Sequence, residues 1–244
     1  MPQFSDLPLE LLSAILSQIV KPHHLALCCL VNKTFFSFAI PQLYEKIYIY
    51  AWHKRGKVKV DNFPTSTKED NVMLLQVTGL FQTLSSRPEL AKWVKKLGKP
   101  KTVRLSFLRF ISMSLTELRD FPKAIYSSES YEALNKSCLR GLSNCATLRS
   151  CTWTRDHTLS SEILEVLSNC PALRELEING HATGTYNPQL LLRFGSLAKI
   201  SLIMPSADVV EILPNWVEKT GKTLTALHIL CKVGRIVCVY LNHA

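Results

Sequence analysis

The sequence predicts an α/β chain: an N-terminal three-helix module over residues 1–50, followed by a short, curved solenoid of strand-turn-helix repeats whose strands form a parallel sheet. Three observations predict it. Three short apolar helical segments fill the first fifty residues. The octapeptide Leu142-Ser143-Asn144-Cys145-Ala146-Thr147-Leu148-Arg149 recurs 25 residues later as Leu167-Ser168-Asn169-Cys170-Pro171-Ala172-Leu173-Arg174. A Leu-x-x-Leu-x-Leu strand pattern opens at Leu148, Leu173, Leu197 and Leu224, at spacings of 25, 24 and 27 residues, a period typical of stacked repeats.

In the first helix Ser5 and Asp6 offer capping oxygens and Pro8 fits the first turn. Leu9, Leu12, Leu16 and Ile19, with Leu11, Ile15 and Val20, make it apolar around more than half its circumference. So broad an apolar surface is too much for three helices to bury among themselves, and it implies contact on more than one side. Pro22 opens a second helix running to about Leu30, with Leu25, Leu27, Cys28 and Leu30 apolar. Asn32 caps a third, which carries Phe35, Phe36, Phe38 and Ile40 and is expected to stop at Pro41.

Residues 51–72 read as a basic and polar loop, through Lys54 to Lys59 and the stretch Pro64 to Asp70. Residues 73–141 read as irregular or degenerate leading repeats. Trp93, Val94 and Leu97 suggest a helix or turn, Val103, Leu105 and Phe107 a strand, and residues 108–137 helical segments without a clean period. The repeats proper span residues 142–232, with helices from Ser160 to Leu167 and from Ala207 to Thr220, the latter with Val209, Val210, Leu213 and Val217 inward. Residues 233–244 form an atypical β-prone tail that fits no further repeat. A solenoid normally ends in a polar cap, so the expectation is a truncated or mis-spliced relative of a longer repeat protein.

Composition narrows the functional classes. With 47% hydrophobic and 20% charged residues, the chain has the make-up of a folded protein. No charge-free run reaches the roughly eighteen residues of a membrane span, and no signal-peptide pattern opens the chain, so a cytoplasmic or nuclear protein is expected. The eight cysteines are then expected as buried free thiols. Of the conceivable ligands His23, His24, Cys28 and Cys29, His24 and Cys28 sit on a helical stretch with Leu25, Leu27 and Leu30, no CxxC pair exists, and no metal or cofactor is expected. There is no glycine-rich phosphate loop, HExxH or GxSxG, so no catalytic residue is assigned. The formal charge of +10 is concentrated: residues 51–110 hold thirteen Lys/Arg against four Asp/Glu. Sparse aromatic residues there argue for a solvated surface rather than a base-stacking one, and against nucleic acid as partner.

The combination Leu7-Pro8-x-Glu10-Leu11, Leu30-Val31 and Leu43-Tyr44 over residues 7–47 resembles an F-box, in the variant common in fungal proteins. Many members place Trp after the central Val, and here Phe35 and Phe36 stand in that region. The resemblance implies binding to the Skp adaptor of a cullin–RING ubiquitin ligase, with Leu7, Pro8 and Leu11 making the opening contact. Ile15, Leu16, Leu25, Leu30 and Val31 would supply or support the rest of that face. The repeats resemble the cysteine-containing class of leucine-rich repeat, with Cys145 and Cys170 packed under successive turns. Alternation along the strands places Ser150, Thr152, Thr154, Glu175, Glu177, Asn179, Lys199, Ser201, Ile203, Ala226, His228 and Leu230 on the open face, a candidate surface for a protein substrate. The whole reads as a non-catalytic substrate receptor of an SCF-type ligase. The rival reading is an interaction scaffold independent of ubiquitination, using the repeats and the basic 51–110 segment on an acidic partner.

Overall fold

The computed structural model describes residues 8–48, 78–98, 128–154, 159–231 and 236–240. The expected cap at Ser5 and Asp6, the 51–72 loop, the strand at Val103 to Phe107 and the helical segments over 108–127 lie outside the described residues.

Three helices open the chain: α1 (Leu9–Ser17), α2 (Pro22–Cys28) and α3 (Lys33–Glu45). Pro8 sits at the N-cap of α1, one residue before the first turn expected for it, and its carbonyl accepts from Leu11 N at 3.0 Å. Asn32 caps α3 as expected, its Oδ1 accepting from Phe35 N at 2.9 Å. Pro41 does not stop α3, which continues to Glu45. A mid-helix proline costs about 3 kcal/mol, but the residues beyond it are anchored. Leu43 packs on the module's core, Tyr44 on the core of the sheet, and Gln42 Nε2 donates to Ser13 O of α1 at 3.1 Å.

No linker separates the helical module from the sheet. The chain passes from Glu45 straight into β1 (Lys46–Tyr48). Next come a helical stretch over residues 78–86 (α4), α5 (Pro88–Ala91) and β2 (Lys96–Gly98). After these lie α6 (Ser128–Ser143), β3 (Ser150–Trp153), α7 (Ser161–Ser168) and β4 (Glu175–Asn179). A 3-10 helix (Pro188–Arg193), β5 (Lys199–Ile203), α8 (Ala207–Thr220), β6 (Ala226–Leu230) and β7 (Ile236–Tyr240) complete the order.

Among the described residues seven strands form one sheet in chain order, β1 to β6 parallel and β7 antiparallel to β6. The helices stack alongside in the same order, α3 on α5, α5 on α6, α6 on α7, α7 on the 3-10 helix and that on α8. The architecture is therefore α/β: a helical N-terminus, then a parallel sheet with helices.

A repeated backbone bonding pattern sets the register. Arg149 N and Ser150 N donate to Lys95 O, Arg174 N and Glu175 N to Arg149 O, Ala198 N and Lys199 N to Arg174 O, and Thr225 N and Ala226 N to Ala198 O. Lys95 N donates to Glu45 O, so β1 and β2 share this geometry although their sequences carry no clean Leu pattern. Val94 takes the place of Leu148, Leu173, Leu197 and Leu224, and all five are at most 2% exposed. One residue into each strand, Ile47, Leu97, Cys151, Leu176, Ile200 and Leu227 point into the common core. Alternation of inward apolar and outward polar residues makes a sheet that, among the described residues, helices cover on one face.

Cys145 and Cys170 play the packing part expected of them. Both are buried under a turn, and each thiol reaches back to a carbonyl four residues earlier, Gly141 O at 3.2 Å and Val166 O at 3.6 Å. In α8 the phase differs from expectation. Val210 is half exposed, while Val209, Ile212, Trp216 and Thr220 face inward at helical spacing, the bulk of Trp216 setting the rotation. The tail also pairs: β7 turns back along the whole length of β6, from Leu230 opposite Ile236 to Ala226 opposite Tyr240.

Gly98 ends β2 at φ +132°, a backbone setting that side chains rarely adopt, and a Cβ there would lie 2.7 Å from the carbonyl oxygen of Thr152 on β3. Gly98→Ala is therefore expected to cost at least about 2 kcal/mol, read as a lower urea midpoint at unchanged slope.

Candidate functional site

The module has a core of its own, separate from that of the sheet: Leu12, Leu16, Leu25 and Ala39 are buried, with Ile19, Cys28, Cys29, Phe35, Phe38 and Leu43 packed around them. On α1 the spacing of Leu12 and Leu16 turns that strip inward. Leu11 and Ile15, one residue back, lie about 100° around the helix and remain 49% and 48% exposed. Leu30 and Val31, in the turn between α2 and α3, are 80% and 61% exposed. Among the described residues, eight of the ten exposed large apolar side chains lie in this module, the other two being Trp93 and Val210. The apolar surface is concentrated where a partner would be needed to cover it.

This placement sorts the residues expected at an adaptor face. Pro8, Leu11, Ile15, Leu30 and Val31 are exposed and able to touch a partner. Leu16 and Leu25 are not: 1% and 6% exposed, they hold α1 and α2 together, so they support the face rather than form it. Leu7 lies outside the described residues. Leu9, Val20, Leu27 and Phe36 are exposed apolar residues that the motif does not assign to this face. A motif marks positions along the chain, but only the packing of the three helices decides which side of α2 and α3 stays open.

The second candidate surface is the open face of the sheet. Ser150, Glu175 and Lys199 occupy equivalent positions on neighbouring strands. They are bonded in a line, Ser150 Oγ donating to Glu175 Oε2 at 3.1 Å and Lys199 Nζ lying 3.4 Å from Glu175 Oε1. Thr152, Glu177, Ser201 and His228 form the next line, all half-buried. Thr154 follows β3 directly, and Ile203 and Leu230 lie opposite one another at the far ends of β5 and β6. Asn179 has a local structural task, its Oδ1 accepting from His181 N at 2.9 Å and its carbonyl from the Tyr186 hydroxyl at 3.1 Å.

The buried thiols are held protonated. Burial, reinforced by neighbouring sulfur, pushes Cys138 and Cys145 up to about 12, and it raises Cys151 and Cys170 as well. A thiol kept neutral in the fold but free to ionise near 9 when unfolded stabilises fully below pH 9. That contribution is lost as pH rises from about 9 to about 12. Native protein at pH 8 should expose Cys231 to a disulfide reagent while Cys138, Cys145, Cys151 and Cys170 react only after unfolding; mass mapping of the labelled cysteines checks it. Among the described residues no group of three His, Cys, Asp or Glu could hold a metal ion, and no helix is long and apolar enough to cross a membrane.

The helical module thus has a small core of its own and an exposed apolar face, and it joins a parallel sheet without a break. Residues 4–50 match the F-box-like family model, so the chain carries an F-box-like domain there. F-box domains generally bind Skp-type adaptors. No curated protein matches the chain, and no solved structure does.

Proposed function

We propose that this protein is a substrate-recognition subunit of an SCF-type ubiquitin ligase, its F-box-like domain bound to a Skp adaptor and through it to a cullin. The observation that carries the reading is the uncovered apolar face of α1 to α3 within the matched residues, with Leu11 and Ile15 half exposed beside a complete small core. In this reading the sheet is a short leucine-rich-repeat solenoid of the fungal F-box type. Its regular backbone register and the stacked Leu148, Leu173, Leu197 and Leu224 support that assignment. The open face then holds a protein substrate, and the continuous passage from α3 into β1 fixes that substrate relative to the adaptor.

The chain contributes positioning and no bond-making of its own, and it works in the cytoplasm or nucleus. Its buried thiols favour this assignment, being held neutral and away from solvent. Co-expression with a Skp-type adaptor and affinity capture of the full chain tests the reading. Recovery of the adaptor is the expected result; its absence, with the protein folded, overturns it in favour of a scaffold outside ubiquitination.

A further inference from the structure

The first residue of each parallel strand, β1 to β6, forms one line across the sheet: Lys46, Lys96, Ser150, Glu175, Lys199 and Ala226, each in register with the next. Their neighbours Ile47, Leu97, Cys151, Leu176, Ile200 and Leu227 point into the core, so this line lies on the open face. From Ser150 onward the line is balanced within itself, through the Ser150–Glu175 hydrogen bond and the Lys199–Glu175 ion pair. At the β1–β2 end it is not. Lys46 and Lys96 stand directly opposite one another on strands about 4.8 Å apart, and among the described residues neither has a carboxylate partner.

Like charges in register repel and weaken the strand pair. Their cost is relieved when an anionic group settles across both. Beyond them the line continues with Ser150 and the Glu175–Lys199 ion pair, so it offers a long polyanion no further unpaired lysine. The site therefore favours a short acidic stretch of protein over a nucleic acid backbone.

We propose that the β1–β3 end of the open face docks an acidic segment of the protein substrate, its carboxylates on Lys46 and Lys96, with the hydroxyl of Thr152 as a neutral donor beyond. The inference rests on the reading of this face as the substrate surface and deepens it. It places the acidic stretch at the C-terminal edge of the F-box-like domain, since Lys46 directly follows α3 and lies within residues 4–50. The segment's acidic run ends where Glu175 begins.

The test is a selection of random dodecapeptides on the full-length chain, followed by anisotropy titration of the strongest binder. Selected peptides should carry clustered Asp and Glu. Lys46→Gln with Lys96→Gln should weaken the best of them about tenfold, the effect expected of two exposed ion pairs, and Lys46→Arg with Lys96→Arg should restore most of the binding. Lys92→Gln with Lys222→Gln removes the same net charge elsewhere and should change affinity less than twofold.

Selection without acidic bias, an equal loss in the two glutamine pairs, or tighter binding of polyuridylate RNA than of the peptide overturns the proposal. Adaptor capture run on the same variants separates the two readings. Acidic selection with no adaptor recovered from the wild-type chain refutes the ligase reading and leaves this one standing. Adaptor recovered with no acidic selection does the reverse.

Discussion

Leu11→Glu with Ile15→Glu is expected to weaken capture of a Skp-type adaptor by at least about 100-fold while the protein stays folded. Both side chains are half exposed, and neither belongs to the module's buried core. Their replacement therefore leaves Leu12, Leu16, Leu25 and Ala39 in place. Surface substitutions of this kind usually change stability by no more than about 0.5 kcal/mol, or about 2 °C in melting temperature for a chain of this size. In the complex the balance is different. Each glutamate forfeits the apolar burial that Leu11 or Ile15 would complete, about 1 kcal/mol, and has its charge stripped of water as the partner closes. Together these exceed the roughly 3 kcal/mol that a 100-fold change requires. Leu16→Ala gives the complementary pattern: it opens a cavity in the small core and costs about 2–5 kcal/mol of stability, without touching the partner directly. Titration calorimetry with purified adaptor, paired with thermal melts, checks both. Full adaptor affinity in the double glutamate variant would show that the partner binds elsewhere.

The helical module was legible because its signals are local. Pro22 and Asn32 mark helix starts through backbone chemistry that needs no tertiary context, and both stand where expected. The sheet was legible wherever leucines recur at fixed spacing, and the four strands from β3 to β6 carry that spacing. β1 and β2 were not legible because three-residue strands with Ile47 or Leu97 as the single inward residue give no period to detect. Their identity comes from long-range backbone pairing, Lys46 with Lys96 and Lys96 with Ser150, across gaps of about fifty residues. The same limit explains Pro41 and Val210. Local rules would end α3 and bury Val210, whereas the anchoring of Leu43 and Tyr44 and the bulk of Trp216 decide otherwise. At the candidate adaptor face the motif found the residues, and only packing divided the touching ones from Leu16 and Leu25.

Trp216→Ala should produce the largest loss of stability. Trp216 is fully buried in α8, and its Nε1 donates to the carbonyl of Phe194 at 3.2 Å, joining the last α-helix to the turn before β5. Removing so large a side chain costs about 3–5 kcal/mol, and the stranded carbonyl adds about 1–3 kcal/mol. The sum approaches the whole stability of an ordinary domain, about 5–15 kcal/mol. A fall in melting temperature of about 10–20 °C is the expected reading. Trp216→Phe separates the two contributions, because it retains most of the packing while losing the donor; it should recover at least about half of the loss. Trp216 belongs to the core of the sheet, whereas Leu12, Leu16, Leu25 and Ala39 form a core apart. The alanine variant should consequently lose peptide binding on the open face at temperatures where adaptor capture through Leu11 and Ile15 persists. If both activities vanish together in one transition, the passage from α3 into β1 couples the two cores so tightly that neither folds without the other.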